Sequence, residues 1–90
     1  MYTNGKYIVG EVKDGYGTVT ALCFNDVVSH DTFRNMFTTI YGAGFFGIDD
    51  AGKVCAWGNS ISLKVESRDQ DILQIERALG FSDTRENGKP

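Results

Sequence analysis

Apolar and polar positions alternate with a period of two along much of the chain, and short turn signals break that alternation. Lys6 to Val12 and Thr18 to Phe24 are two runs of strand formers. Between them lies Asp14-Gly15, a pair suited to the positive φ angles of a type I′ hairpin turn. A two-residue loop at those positions opposes Lys13 to Tyr16, Val12 to Gly17, Gly10 to Val19 and Ile8 to Ala21. Strand side chains point to alternate faces. That register therefore collects Ile8, Gly10, Val12, Val19, Ala21 and Cys23 on a core face. Tyr7, Val9, Glu11, Lys13, Tyr16, Thr18, Thr20 and Leu22 fall on the other.

The next pattern is helical. Ser29 is a suitable N-cap, and Asp31 in the first turn favours the helix dipole. Phe33, Met36, Phe37 and Ile40 follow at i, i+3, i+4 and i+7, the stripe of a short amphipathic helix. A second hairpin then centres on Asp49-Asp50-Ala51-Gly52. This string fits a type I turn closed by a left-handed glycine. Asp49 then opposes Lys53, Ile48 opposes Val54, Gly47 opposes Cys55, Phe46 opposes Ala56 and Phe45 opposes Trp57. One face of this hairpin is wholly apolar: Phe46, Ile48, Val54 and Ala56. The other pairs Phe45 with Trp57 and ends on an opposite-charge pair, as a solvent-facing surface would.

From Ser60 to Glu66 the alternation resumes, which predicts a further extended segment. Ser67-Arg68-Asp69-Gln70 reads as a capping box, opening a helix from about Arg68 to Leu79 with Ile72, Ile75, Ala78 and Leu79 on one side. Gly80 suits its C-cap, with Phe81 folding back as the accompanying hydrophobic contact. The order is ββα followed by ββα, which hints at architectural duplication. The fold expected is an α+β two-layer sandwich, an antiparallel sheet of four to five strands with two helices on one face. Residues 1–81 form the single domain, and 82–90 form a disordered tail without apolar residues.

Composition narrows the class. Ninety residues support one modest core. A net charge of −3 and a pI near 4.9 argue against a nucleic-acid binder, whose footprint is normally basic. No apolar run approaches a membrane span, and the first residues lack a signal-peptide apolar region. Two cysteines make no disulfide framework. A cytoplasmic, reduced protein with no metal and no cofactor is the expectation.

The candidate chemistry is sparse. Gly42-Ala43-Gly44-Phe45-Phe46-Gly47 matches G-x-G-x-x-G, but a dinucleotide fingerprint needs a helix after the glycines and here a hairpin turn follows. Gly42, Gly44 and Gly58 read better as positions where a helix approaches the sheet closely. His30 is the sole histidine. Cys23 and Cys55 fall on opposite sides of the sheet, with His30 placed in the layer away from Cys55, so no catalytic set or metal site assembles. The aromatic pair Phe45 and Trp57, with Cys55 and Tyr41 on the same face, is the candidate partner-binding surface. A pocket between helices and sheet around Gly42, Gly44, Gly58, Ser60 and His30 is the alternative, for a small molecule or nucleotide. A small enzyme using Cys55 or His30 is the third reading.

Ser29-His30, Gly42-Ala43-Gly44-Phe45, and Gly58-Asn59-Ser60-Ile61-Ser62-Leu63 through Ser67-Arg68 resemble small uncharacterised proteins of bacteria and their phages. The resemblance brings no activity with it. It does imply a context in which small acidic domains often bind and block a host protein. The function expected is thus a non-enzymatic protein-binding domain, a phage-type inhibitor of a host enzyme, with self-association through the aromatic face or an edge strand as a further outcome.

Overall fold

In the computed structural model, which describes residues 4–13 and 15–80, the apolar runs pair into one antiparallel sheet. β1 (Asn4–Val12) and β3 (Phe37–Ile48) lie at its centre. β2 (Val19–Phe24) flanks β1 and β4 (Val54–Trp57) flanks β3, so the order is β2-β1-β3-β4. Tyr7, Ile8 and Val9 are consecutive in β1 and all fully buried. Since successive strand side chains point to opposite faces, both faces of the sheet must be covered. On one side α1 (Asp71–Leu79) packs Ile72, Ile75 and Leu79 against Tyr7, Val9, Ala21, Phe46 and Val54. Each such large apolar side chain contributes about 1.5–3 kcal/mol when fully buried.

The opposite face carries Ile8, Phe24, Phe37 and Ala43. Phe33 and Val28 cover it, together with Leu63 and Val65. The last two come from a small second sheet, β5 (Asn59–Ser60) paired with β6 (Val65–Glu66). The α+β class and the antiparallel four-stranded sheet are as expected. The two helices, however, cover opposite faces and not one. The physical reason is visible in β1, where Tyr7 and Val9 have one parity and Ile8 the other, and both parities are apolar enough to need a cover.

The β1–β2 register differs from expectation by one residue: Ile8 pairs with Leu22, Val9 with Ala21 and Glu11 with Val19. Such a slip exchanges the faces of a whole strand. Ala21 and Cys23 therefore pack with Tyr7 and Val9, while Leu22 and Phe24 join Ile8. The cause is the turn. Asp14, half of the expected loop, lies outside the described residues. The positive φ angles occur at Tyr16 (55°) and Gly17 (83°), with the Thr18 amide donating to the Gly15 carbonyl at 3.0 Å. That type I′ turn lies inside a longer loop, closed where the Val12 amide donates to the Thr18 carbonyl at 3.3 Å, and the longer loop moves the strand pairing by one residue.

The first helix is also shorter and tighter than expected. A 3-10 helix spans His30–Met36, the Ser29 hydroxyl accepts the Asp31 amide at 3.2 Å, and the chain enters β3 at Phe37. Phe37 and Ile40 thus serve a strand and not a helical stripe. The β-branched run Thr38-Thr39-Ile40 favours extension, and pairing of Ile40 with Gly10 and Phe37 with Val12 satisfies its backbone.

Ser60 to Glu66 does not stay extended. The Lys64 amide donates to the Ser60 carbonyl at 2.8 Å and the Leu63 amide to the Ser60 hydroxyl at 3.2 Å, closing a tight β5–β6 turn. Nor does Ser67 cap the second helix with Gln70. α1 begins at Asp71, whose own carboxylate reaches back to the Arg68 amide at 3.0 Å. Its C-terminus is as expected, with Gly80 left-handed and its amide on the Arg77 carbonyl. Phe81 and residues 82–90 lie outside the described residues. The β3–β4 hairpin matches its expected register at every pair from Ile48–Val54 to Phe45–Trp57.

Candidate functional site

The registers of three strand pairs combine to place four side chains in one row across the sheet. Phe24 pairs with Lys6, Lys6 with Phe45, and Phe45 with Trp57. Facing pairs in antiparallel strands share a face, so Phe24, Lys6, Phe45 and Trp57 line up from one edge of the sheet to the other. At the β4 end the row is open. Trp57 stacks on Phe45, with centroids 6.4 Å apart and planes at 19°, yet it retains 49% of its surface in solvent. Cys55, on the same face, is exposed.

Two hollows flank this aromatic ridge. One, of about 250 Å³, lies between Asn4, Gly47, Asp49, Cys55 and Trp57, where Gly47 supplies no side chain. The other is a cleft of about 400 Å³ lined by Lys6, Ser29, His30, Phe45, Asn59, Ile61 and Ser62. Its walls are tied together: Arg34 donates to the Ser62 carbonyl at 2.6 Å while pairing with Asp31 at 2.9 Å. The 3-10 helix thereby holds the β5–β6 turn. Ile61, at the tip of that turn, is 86% exposed.

His30 forms the buried floor of this cleft. Its Nε2–H donates to the Gly44 carbonyl at 2.9 Å. Its ring meets Phe24 and Phe45 edge-on at 5.7 and 6.1 Å. Burial holds the imidazole below its ordinary pKa and the nearby Lys6 ammonium lowers it further, while backbone hydrogen bonds to Gly44 and Tyr7 oppose the shift. Held by its bond to the Gly44 carbonyl, the ring braces the aromatic row. His30 and Cys55 do share a face, contrary to their expected placement on opposite sides. They nonetheless line different hollows. Cys23 packs against the α1 side of the core. Among the described residues, no three His, Cys, Asp or Glu side chains gather as a metal site.

The chain matches no protein-family model, no curated protein and no solved structure.

The remaining candidates separate from this face. Tyr41 falls at a register shift: Val9 pairs with Gly42 while Gly10 pairs with Ile40, leaving Tyr41 as the extra residue. A bulge re-aims the side chain it carries. Tyr41 donates its hydroxyl to the Glu11 carboxylate, which raises its pKa, and takes the Arg68 guanidinium over its ring at 5.6 Å. It belongs with Arg68, Gln70 and Leu73 on the α1 side, away from Trp57.

Gly42 and Gly44 lie within β3, their backbones paired with β1, so the glycine string is not a phosphate loop. A Cβ at Gly42 would fall 2.1 Å from the Asp71 carboxylate. One at Gly44 would fall 2.6 Å from the Trp57 carbonyl and 3.1 Å from Ser67. Protein atoms already fill the space above both. Ser60 is buried and spends its hydroxyl on the β5–β6 turn. Of the expected pocket residues, His30 lines the 400 Å³ cleft. Lys6, Ser29, Asn59, Ile61 and Ser62 were not legible as its other walls. Their meeting depends on the long-range β1–β3 pairing and the folded β5–β6 turn, neither of which a local pattern announces.

Proposed function

We propose that this protein is a small non-enzymatic binding domain that docks a protein partner on the Phe45/Trp57 end of its sheet. The observation that carries this reading is the state of Trp57. It is half exposed, yet held by stacking on Phe45 in a row braced by His30, with a hollow on either side. A rigid aromatic ridge between two hollows matches the anatomy of an interface hot spot, where aromatic anchors lose little entropy on binding. The resemblance to phage-type proteins extends the proposal to an inhibitor that blocks a host enzyme. No helix of the described residues is long and apolar enough to cross a membrane.

The test is affinity capture by the purified protein from its native cellular background, with Trp57→Ala as control. A partner retained in stoichiometric amount by the native protein and lost by a folded Trp57→Ala variant supports the reading. Equal retention by both rejects the site.

A further inference from the structure

The cleft beside the aromatic ridge has a charge character that the ridge alone does not. We infer that it takes an acidic side chain of the partner, flanked by an aromatic or aliphatic one, so that the docked segment is an acidic-apolar peptide. The inference rests on the proposed docking face and specifies what docks there.

Four observations converge. First, the chain is net acidic, yet the cleft lining contains Lys6 and no carboxylate. Second, Lys6 has no acidic partner among the described residues: its Nζ donates to the Val28 carbonyl at 3.0 Å, which leaves ammonium protons for another acceptor. Its field reaches into the cleft, where it disfavours a charge on His30. Third, the groups around it are neutral donors of carboxylate-binding type: the Ser29 and Ser62 hydroxyls and the Asn59 amide. Fourth, the lining is also apolar, with Phe45 and the exposed Ile61 among its residues. A partly desolvated lysine beside an aromatic wall suits a carboxylate followed by an apolar residue. The cleft shares Phe45 with the Trp57 stack and is not enclosed, which favours an extended segment over a small molecule.

The experiment selects a random twelve-residue peptide library on the immobilised full chain. Enriched peptides are then titrated by fluorescence anisotropy against the native protein, Lys6→Gln, Lys6→Arg and Trp57→Ala, each checked for native amide spectra. Enrichment of Asp or Glu next to an aromatic or aliphatic residue is expected. Lys6→Gln should weaken binding about ten-fold, the scale of a lost hydrogen bond to a charged group, and Lys6→Arg should restore most of it. Should Lys6→Gln not fold, the native protein still decides the matter: binding must weaken between 50 and 500 mM salt.

Peptides without acidic residues, or affinities indifferent to both Lys6 and salt while Trp57→Ala abolishes them, overturn the acidic assignment and leave the docking face standing. Absence of any enrichment, or equal binding by Trp57→Ala, removes both. A response of the Asn59 and Ser62 amides to phenylacetate, without peptide enrichment, assigns the cleft to small carboxylates and likewise overturns the proposal.

Discussion

Gly42→Ala tests how α1 is fastened to the sheet. Asp71 is fully buried at the first position of α1. Its carboxylate accepts the Tyr7 hydroxyl at 2.6 Å, the Arg68 amide at 3.0 Å, and Arg68 Nε and Nη2 at 2.9 and 2.6 Å. Those bonds satisfy a charge that would otherwise be costly to bury. A methyl at residue 42 would sit 2.1 Å from Asp71 Oδ2 and 2.9 Å from Arg68 Nε, so the carboxylate must leave its seat. Overpacking of this kind costs about 1–3 kcal/mol, and disturbing a buried pair raises the total toward about 3–5 kcal/mol. Because Arg68 keeps about a third of its side chain in solvent, about 3 kcal/mol is the figure to expect once screening is allowed for. Asp71→Ala alone should cost a similar amount, since it leaves the Tyr7 hydroxyl and the guanidinium unpaired. In the double variant the new methyl meets the space the carboxylate vacated. The two changes should therefore fall short of additivity by about 2 kcal/mol, well outside the roughly 0.5 kcal/mol scatter of independent sites. Urea unfolding of the four proteins at constant m measures this. Additivity within that scatter would refute the seating of Asp71 on Gly42.

Three further outcomes follow from single residues. Burial lowers the pKa of His30 in the folded state, so the unfolded chain binds its proton first as pH falls. The stability this group contributes is complete above about pH 6.5, its ordinary value, and declines as pH drops below that. The slope of stability between pH 7 and 5.5 should flatten in His30→Gln, and an unchanged slope would exclude His30 as its source. Tyr16 is exposed and carries φ 55° in the hairpin turn. Tyr16→Asn should raise the melting temperature by about 3–6 °C, from about 0.5–1 kcal/mol of relieved backbone strain, and a fall would refute the turn geometry. Burial pushes the Cys23 thiol up to about 11, while Cys55 is exposed. Iodoacetamide at pH 8 should add one group per native chain, located at Cys55 by peptide mass, whereas equal labelling of both would contradict the assigned faces.

The sequence announced most clearly what is decided within a few residues. The β3–β4 hairpin was legible pair by pair because Gly52 can take the left-handed position that its turn requires, and Asp49 closes it with a bond from its amide to the Lys53 carbonyl. The end of α1 at Gly80 was legible for the same reason. The β1–β2 register was not, because the strands close at Val12 and Thr18, across a loop longer than the two-residue turn that Asp14-Gly15 suggests. Tyr16-Gly17 prevailed although tyrosine is a poor candidate for positive φ. The turn that forms is the one compatible with burying Phe24 beside Phe33, at 4.8 Å between centroids, and that gain is tertiary. The helical stripe at Phe33 to Ile40 failed similarly: partners on β1 outbid the period of 3.6 once the β-branched run at Thr38 was available for pairing.

The site shows the same division on a larger scale. Phe45 opposite Trp57 follows from one local hairpin and could be named in advance. Lys6 beside Phe45 depends on β1 meeting β3 across almost forty intervening residues, with a register that two shifts adjust near Gly10 and Val12. The first shift also removes Tyr41 from the face where simple alternation places it. One long-range register thus assembles the cleft and takes a residue out of the aromatic surface. A change confined to that bulge should act on both: straightening it would return Tyr41 toward the Trp57 face while releasing its contacts to Glu11 and Arg68. The proposed docking surface and the fastening of α1 thus share one strand, β3. The glycine string that spells a nucleotide motif lies in that strand, with Gly42 under Asp71 on one face and Phe45 stacked with Trp57 on the other.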